Sequence, residues 1–332
     1  MENADYDVVI IGSGIAGLSA AIYAGRSGHK TLVLKGPEPG GQLTLTTDVA
    51  NYPGFPDGIS GPELVQKMTI QAETFGAAVE SASVVSVDTS TFPRRVTLER
   101  GDSLTTTALI IASGASARTL GIPGESALMG YGVSTCATCD GAFFRDQPVA
   151  VVGGGDAALE EACFLTKFAS TVHLIHRRDE FRAEAYWQER VNEKIDGDDG
   201  DIVFHPNTEV VEIVGSKESG VDRIKTLSHP DGSPTTRTRT EAHSEGTIDV
   251  DAVFIAIGHI PNTDFLQGTG VGLDADDYLQ TRPGETAHET QTGVEGVFGA
   301  GDVVDSHYQQ AATAAGMGVK AALDADAFLS AR

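Results

Sequence analysis

Two glycine-rich turns recur in this sequence at a separation of 141 residues. VVIIGSGIAGLSAA (Val8 to Ala21) aligns with VAVVGGGDAALEEA (Val149 to Ala162). Each begins as a short apolar run typical of a buried strand and continues with helical spacing. A strand, a turn of this glycine pattern and a helix together form the dinucleotide-binding unit. Two copies predict an α/β protein with two Rossmann-like dinucleotide-binding domains.

The residue types in each turn are those that a bound diphosphate requires. The first glycine permits the tight turn, the second lets the backbone approach the diphosphate, and the third position must be small so that the helix can lie against the strand. The N–H groups and the helix dipole then hold the anion. The predicted contacts are Gly12, Ser13, Gly14, Ala16 and Gly17 in the first turn and Gly153, Gly155, Asp156 and Ala157 in the second.

The segment after the next strand distinguishes the two nucleotides. In the second unit, the strand Thr171 to Ile175 runs into HRRDEFR, where a ribose 2′-phosphate would lie. Arginine binds phosphate with two parallel hydrogen bonds, so this segment predicts NADPH, although a solvated cationic loop is the alternative. In the first unit the strand ends at Lys35, and Glu38 is the nearest acid. The residues assigned to the NADPH phosphate are His176, Arg177, Arg178 and Arg182.

Later segments predict that the first domain is split. LIIASG (Leu109 to Gly114) and VFIAIG (Val253 to Gly258) are typical of buried strands, and GVFGAGD (Gly296 to Asp302) precedes a helical stretch. We therefore expect one domain from residues 1–117 and 250–332, with residues 118–249 inserted. The linkers would be ASARTLGIPG and the stretch from Gly246 to Asp249. Residues 196–201 and 229–246 are predicted to be loops.

Cys136 and Cys139 form a CATC motif that precedes Asp140. A CxxC pair can close a small disulfide ring with reactive thiols. The alternative is half of a zinc site, but the chain has no second CxxC and no HxxxH motif. Cys163 falls in the apolar pattern of the following helix and is predicted to be a core residue. The motif therefore predicts a redox pair.

The charge of the chain limits its partners. Asp and Glu number 47 against 23 Lys and Arg, giving a net charge of −24, which argues against nucleic-acid and anionic membrane surfaces. At molar salt, repulsion between surface carboxylates is screened beyond about 3 Å, so a strongly acidic surface can remain hydrated without destabilising the fold. The acidic surface therefore suggests adaptation to a salty cytoplasm, and an ordinary acidic cytosolic enzyme is the alternative. The first residues lack signal-peptide features, and no stretch of 18 apolar residues occurs. We expect a cytoplasmic protein.

In these motifs the sequence resembles the low-molecular-weight NADPH-dependent thioredoxin reductases, which are FAD-containing pyridine nucleotide-disulfide oxidoreductases. The resemblance extends over nearly the whole chain. It rests on GSGIAG, GGQLTLTTDVANYPGF, ASGASAR, CATCDG, VVGGGDAALEEA, HRRDEFRA, IGHIPNT, GVFGAGDV and QQAATAAG. It implies FAD in the split domain, NADPH in the inserted domain, a homodimer, and thioredoxin as the protein substrate.

The resemblance also implies roles for individual residues. Cys139 would receive electrons from the flavin, Cys136 would attack the thioredoxin disulfide, and Asp140 would act as general acid or base. A rotation of the inserted domain would turn on linkers bearing Gly121 and Gly246. Gln309 stands where the family commonly has Arg, which puts one flavin contact in doubt. The implied FAD contacts are Gly12, Ser13, Gly14, Ala16, Gly17, Glu38, Gly41, Gln42, Leu43, Asn51, Ala112, Gly114, Gly301, Asp302, Gln310 and Ala311.

Two other functions remain open. A flavin reductase of the same fold could serve another dithiol protein, such as a glutaredoxin-like carrier or a peroxidase partner. A redox- or NADPH-sensing protein without turnover is the second alternative, but sensing requires no CATCD motif beside a flavin.

Overall fold

The computed structural model describes residues 4–45, 49–197, 201–229, 243–282, 284 and 288–332. The chain forms two compact units, one made of the residues up to Ser116 together with His259–Arg332, and the other of Ala117–Gly258. The two ends of the second unit are adjacent, since the backbone N–H of Arg118 donates to the carbonyl oxygen of Gly258 at 2.9 Å.

The helices and strands follow one another in three segments. The first segment contains β1 (Tyr6–Ile11), α1 (Ile15–Arg26), β2 (Thr31–Leu34), α2 (Gly61–Thr74), β3 (Ala78–Glu80), β4 (Val84–Asp88), β5 (Arg94–Leu98), β6 (Ser103–Ile111) and β7 (Ala115–Ala117). The second contains α3 (Glu125–Leu128), β8 (Val133–Ser134), α4 (Ala137–Asp140), β9 (Pro148–Val152), α5 (Asp156–Leu165), β10 (Thr171–Ile175), α6 (Ala185–Asp196), β11 (Ile202–His205), β12 (Thr208–Ser216), β13 (Gly220–Ser228), β14 (Ser244–Asp249) and β15 (Ala252–Ile255). The third contains β16 (His259–Pro261), β17 (Val297–Gly299) and α7 (Ala311–Ser330). None of these helices, within the ranges described, has the length and apolar character needed to cross a membrane.

The sheet of the first unit has the strand order β3-β2-β1-β6-β5-β4, and β17 also pairs with β6. β1, β2, β3, β6 and β17 are parallel, so their carboxyl ends meet at one edge. Apolar residues of α1, α2 and α7 form one core with β1 and β6. Gly318 allows α7 to cross α1 closely, because any side chain there would overlap the backbone of Ala16.

The second unit repeats this arrangement with the strand order β11-β10-β9-β15-β8, all parallel. β9, β10 and β15 are the counterparts of β1, β2 and β6 in the first unit. An antiparallel sheet of β12, β13 and β14 packs beside it, sharing a core through Ile224 and Val253. The predicted α/β fold with two Rossmann-like domains is therefore confirmed.

Two sequence-based assignments near the second domain boundary are wrong. The strand VFIAIG was expected in the first domain, but β15 pairs with β9 in the second unit, since Val253 and Phe254 complete the apolar core there. The segment Gly246 to Asp249 was expected to be a linker with a hinge glycine. It lies in β14, where Gly246 pairs with Thr226 in β13, so it cannot act as a hinge. Of the predicted loop 229–246, residues 230–242 lie outside the described residues, as do 198–200 of the acidic segment.

Candidate functional site

The first glycine turn closes tightly against the neighbouring strand end. Gly12 has φ +109°, and any side chain on it would overlap the carbonyl oxygen of Ala112, the residue after β6. A side chain at Gly17 would overlap the carbonyl of Gly12, so α1 lies directly against the turn. Gly14, which caps α1, faces open space that a side chain could enter without meeting another part of the protein. The turn thus presents the N-terminus of α1 to a ligand at the edge of the sheet.

Ser13 holds a second glycine loop beside this turn. Its hydroxyl accepts from the N–H of Gly40 at 2.9 Å and lies 3.3 Å from the carbonyl oxygen of Lys35. Gly41 lies close to Gly14, since a Cβ atom at position 41 would be 3.5 Å from the Gly14 Cα. The side chain of Ser13 is therefore engaged in the protein, which leaves its backbone N–H for a ligand.

The other predicted flavin residues reach the same unit from distant parts of the chain. The Asn51 amide donates to the Gln310 side chain at 3.4 Å, which joins the loop before α2 to the start of α7. Gly114 accepts from the Asn262 N–H at 2.9 Å. Gln42 donates to Glu38 at 3.3 Å. The remaining residues, Leu43 and Ala311, contribute to the core below α2 and α7.

Asp302 has the side chain of this unit that most directly indicates a bound ligand. Gly301, with φ +79°, lies against Ala16, which places Asp302 at the carboxyl end of β17. Its Oδ1 atom is buried and has no hydrogen-bond partner in the described part of the chain. Burial, with a smaller effect from Asp305, raises the pKa of Asp302 to about 6. A buried, unpaired carboxylate is costly by itself and is well suited to accept from a ligand hydroxyl.

Asp302→Asn is expected to stabilise the flavin-free protein at neutral pH while weakening flavin retention. A carboxyl whose pKa is raised on folding binds its proton more tightly in the folded state, so its contribution to stability falls as pH rises from about 4 to about 6. Removing it should increase the free energy of unfolding by up to about 3 kcal/mol at pH 7 and less near pH 4. Urea unfolding at both pH values measures this; an equal effect at both would contradict the assignment.

The second turn repeats the geometry of the first. Gly153 has φ +158°, and a side chain on it would overlap the carbonyl of Ala256, the residue after β15. Gly155 caps α5 and, like its counterpart, faces open space. Gly154 packs against the ring of His176, which follows β10. A second helix N-terminus is thereby presented at the carboxyl edge of a parallel sheet.

The cationic segment after β10 lies at this edge. Arg177, Arg178 and Arg182 are exposed, and none forms an ion pair with a residue that the structure describes. The backbone N–H of Arg182 donates to the carbonyl of Gly154 at 2.8 Å, which anchors the segment to the turn. Asp156 accepts from the N–H of Glu184 at 2.8 Å and so is engaged within the protein.

His176 differs from the arginines beside it. Burial first, and then the nearby arginines, lower the pKa of its ring, which is therefore neutral at pH 7. Its Nε2 atom is buried without a hydrogen-bond partner among the described residues. A neutral ring with an unpaired nitrogen fits a hydrogen bond to a ligand better than an ion pair.

Cys136 and Cys139 are joined as a disulfide, with their Cα atoms 5.3 Å apart. Cys136 follows β8 and begins the short helix α4, and Ser134 fixes it by accepting from its N–H at 3.1 Å. Asp140 ends α4, with its N–H donating to the Cys136 carbonyl at 3.2 Å. Because β8 is parallel to β15 and β9, the disulfide lies at the same sheet edge as the second turn.

Two outcomes concern the predicted cysteine chemistry. The zinc alternative gains no support, since no group of three or more His, Cys, Asp or Glu side chains in the described ranges could hold a metal ion. Cys163 is a buried free thiol in the core of the second unit, as predicted.

Sequence reasoning missed one residue near the disulfide. Glu161 in α5 accepts from the backbone N–H of Ala137, which lies between the two cysteines, at 3.4 Å. The signal was present in the pattern of α5: Glu161 falls on the same helix face as the buried Ala158 and Leu165. A carboxyl on an apolar face is unusual and marks a position with a specific partner.

Comparisons with known proteins agree with these features. Residues 6–318 match the family described as pyridine nucleotide-disulphide oxidoreductase. A thioredoxin reductase from Mycolicibacterium smegmatis is 48% identical over 98% of this chain and 97% of its own. A glucosaminate ammonia-lyase from Pseudomonas fluorescens is 46% identical over 97% of this chain and 95% of its own. The solved thioredoxin reductase from Giardia duodenalis has a TM-score of 0.86 at 38% identity and covers 98% of this chain and 99% of its own.

Proposed function

The chain belongs to the pyridine nucleotide-disulphide oxidoreductase family, and from this membership we propose how its residues divide the work of an NADPH-dependent thioredoxin-disulfide reductase. The protein is an enzyme that uses FAD and NADPH. The observation that carries the proposal is the Cys136–Cys139 disulfide, which lies at the same strand-end edge as a dinucleotide turn in the second unit. When bound, FAD supplies a carrier that takes hydride from NADPH and gives an electron pair to this disulfide.

We assign FAD to the first unit. Two helix N-termini, those of α1 and α7, belong to this unit, and Gly14 leaves the space that a diphosphate needs. The unpaired carboxylate of Asp302 provides an acceptor for a hydroxyl of the flavin chain. We propose that this domain comprises residues 1–117 and the residues that follow β15, since β15 belongs to the second unit.

We assign NADPH to the second unit. Gly155 leaves the space for its diphosphate, and three exposed arginines without ion pairs in the described ranges offer the charge that a 2′-phosphate requires. The neutral ring of His176 orders the turn and keeps one nitrogen for the ligand.

The cysteine pair would then act by thiol–disulfide exchange. Once the pair is reduced, the Cys136 thiolate attacks one sulfur of the thioredoxin disulfide, and a mixed disulfide forms as the other thioredoxin sulfur leaves as a thiolate. Cys139 attacks Cys136 in turn, which restores the disulfide and releases dithiol thioredoxin. Asp140, directly after Cys139, would hold the proton for the departing thiolate. Phe143, 49% exposed three residues further on, offers an apolar contact for a protein substrate.

Two alternatives can be separated from this function. Another dithiol protein as substrate would leave the flavin and nucleotide chemistry unchanged. The ammonia-lyase name of one relative belongs to a redox-neutral elimination, which needs no disulfide. The cysteine pair of this chain therefore favours a reductase.

The deciding assay follows NADPH oxidation by the FAD-loaded protein with and without thioredoxin, and repeats it with NADH. We expect turnover that depends on thioredoxin and is much faster with NADPH.

In the double variant Arg177→Ala/Arg178→Ala, KM for NADPH should rise by about 10- to 100-fold, because two charge-assisted phosphate contacts are lost, while the NADH rate stays within about twofold. Glu189→Gln, an exposed position on α6, is the matched surface control. Flavin reduction without turnover would assign another dithiol partner, and equal losses with both nucleotides would contradict the 2′-phosphate assignment.

We further infer a cytoplasmic homodimer adapted to salt. Exposed apolar side chains on neighbouring helices of the first unit, Tyr23, Ile70 and Leu323, support association of two copies. A redox cysteine pair with a lone buried thiol suits a reducing compartment. The excess of acidic residues supports activity in molar KCl, and a rate that falls steadily with KCl in the same assay would contradict this point.

A further inference from the structure

Glu161 holds a buried carboxyl that the proposed mechanism does not use. It lies on the inner face of α5, between the buried residues Ala158 and Leu165. Its Oε2 atom is buried and has no hydrogen-bond partner in the ranges that the structure describes. Such a group destabilises a protein unless it has a function or remains neutral.

The other carboxyl oxygen contacts the turn of the disulfide. Oε1 accepts from the backbone N–H of Ala137 at 3.4 Å. Ala137 is completely buried and stands directly after Cys136, so the contact is made to the backbone inside the CxxC ring. Glu161 is thus connected to the cysteine pair through one backbone group.

The electrostatic surroundings of Glu161 favour its neutral form. Burial is the main cause that raises its pKa to about 7, and two carboxylates, Glu160 on the same helix and Asp140 on α4, add to it. Burial raises the pKa of Cys163, which lies two residues beyond Glu161 on α5, and the positive charges of Lys194 and Arg190 on α6 partly offset this rise. The carboxyl of Glu161 therefore changes its charge close to neutral pH.

We propose that Glu161 is a positioning residue for the Cys136–Cys139 pair, which holds the backbone of Ala137 and, when ionised, lowers the thiolate fraction of the reduced pair. This inference rests on the proposed redox role of the disulfide. The neutral carboxyl accepts weakly from Ala137 and leaves the thiols unaffected. The carboxylate accepts more strongly and disfavours a second negative charge nearby. The two effects flatten the rise of thiol reactivity with pH.

The test measures thiol reactivity in the FAD-loaded protein with Glu161→Gln, which keeps an acceptor for Ala137 but cannot ionise. The protein is reduced with dithiothreitol under anaerobic conditions, desalted and treated with iodoacetamide at about pH 5.5 and about pH 8.5, below and above the range in which Glu161 titrates. Trypsin separates Thr119–Arg145, which contains the pair, from Asp146–Lys167, which contains Cys163. Alkylation of Cys163 in the second peptide reports whether the core of the second unit becomes exposed. Glu160→Gln, one residue away on the exposed face, is the matched control.

We expect Glu161→Gln to be alkylated about three- to tenfold faster than wild type at the higher pH, since a nearby like charge shifts a thiol equilibrium by about half a unit to one unit. At the lower pH the rates should agree within about twofold, and Glu160→Gln should follow wild type at both. A purely structural role would change the rate by the same factor at both pH values, and that result would overturn the proposal.

The wild-type protein provides a second, independent measurement. The logarithm of its alkylation rate should rise with pH by less than one per unit between about pH 6 and 8, where Glu161 gains its charge. A slope of one throughout would overturn the proposal even if the variant failed to fold. Replacing dithiothreitol by NADPH tests the function separately, because NADPH yields alkylated Thr119–Arg145 only if the disulfide is the redox centre.

Discussion

Cys136→Ser is expected to lower NADPH-dependent reduction of thioredoxin by at least about a thousandfold, while NADPH still bleaches the flavin absorbance. The hydroxyl of serine does not ionise near neutral pH, so the variant lacks the nucleophile for thiol–disulfide exchange. The first turn, the second turn and the arginine segment are unchanged, so cofactor binding should be retained. Stopped-flow flavin absorbance and steady-state thioredoxin reduction measure the two parts separately.

Cys139→Ser distinguishes the roles of the two sulfurs. With Cys136 still present, this variant should form a mixed disulfide with thioredoxin that persists, because the cysteine that would release it is missing. Cys136→Ser should form no such adduct on non-reducing gels. Cys163→Ala, which changes a buried thiol outside the pair, should keep its rate within about twofold. Trapping by Cys136→Ser instead would reverse the assignment of the two cysteines.

Gly12→Ala is expected to destabilise the protein by at least about 3 kcal/mol, because alanine is strained at positive φ and its Cβ would overlap the carbonyl of Ala112. Gly14→Ala, two residues later, should change the free energy of unfolding by only about 1 kcal/mol, since its Cβ enters open space. That space is the one we assign to the FAD diphosphate. Gly14→Ala should therefore lose flavin while it keeps its fold.

The two alanine variants have to be compared without flavin as well as with it. Urea unfolding of the flavin-free proteins reports the backbone strain alone, and flavin content after gel filtration reports binding. A Gly14→Ala protein that keeps all its flavin would contradict the position of the diphosphate. A Gly12→Ala protein as stable as wild type would contradict the close approach to Ala112.

Local patterns were sufficient to predict the strands and glycine turns at the two sheet edges. The strand at Tyr6–Ile11 ends in the apolar run Val8–Ile11 before a glycine turn, and the strand at Thr171–Ile175 was predicted with its observed bounds. Both depend on hydrophobic periodicity and turn chemistry, which act over a few residues. The disulfide was likewise predicted by its spacing.

The second domain boundary could not be found in the same way. VFIAIG and LIIASG are both buried strands ending in glycine, and hydrophobicity does not show which sheet each one joins. The repeat itself held the missing signal, because Ala112 closes the turn at Gly12 as Ala256 closes the turn at Gly153. Each copy of the turn therefore needs its own alanine-ended strand, which assigns one strand to each unit.

Side-chain environments were less accessible to prediction. That Ser13 is engaged with Gly40, and that Asp302 and Glu161 each keep a buried oxygen unpaired, depends on residues far apart in sequence. Such pairings are set by tertiary packing and have no local pattern. Only the position of Glu161 on an apolar helix face offered a sign in advance.

The adjacent ends of the second unit make it interchangeable as a module. The N–H of Arg118 and the carbonyl of Gly258 are 2.9 Å apart, so the segment between them begins and ends at one point of the fold. Recombination at these two positions would exchange the whole second unit, with its dinucleotide turn and its cysteine pair, without straining the backbone of the first unit. A flavin domain with this entry point can thus acquire a different electron donor or a different thiol partner in a single genetic event.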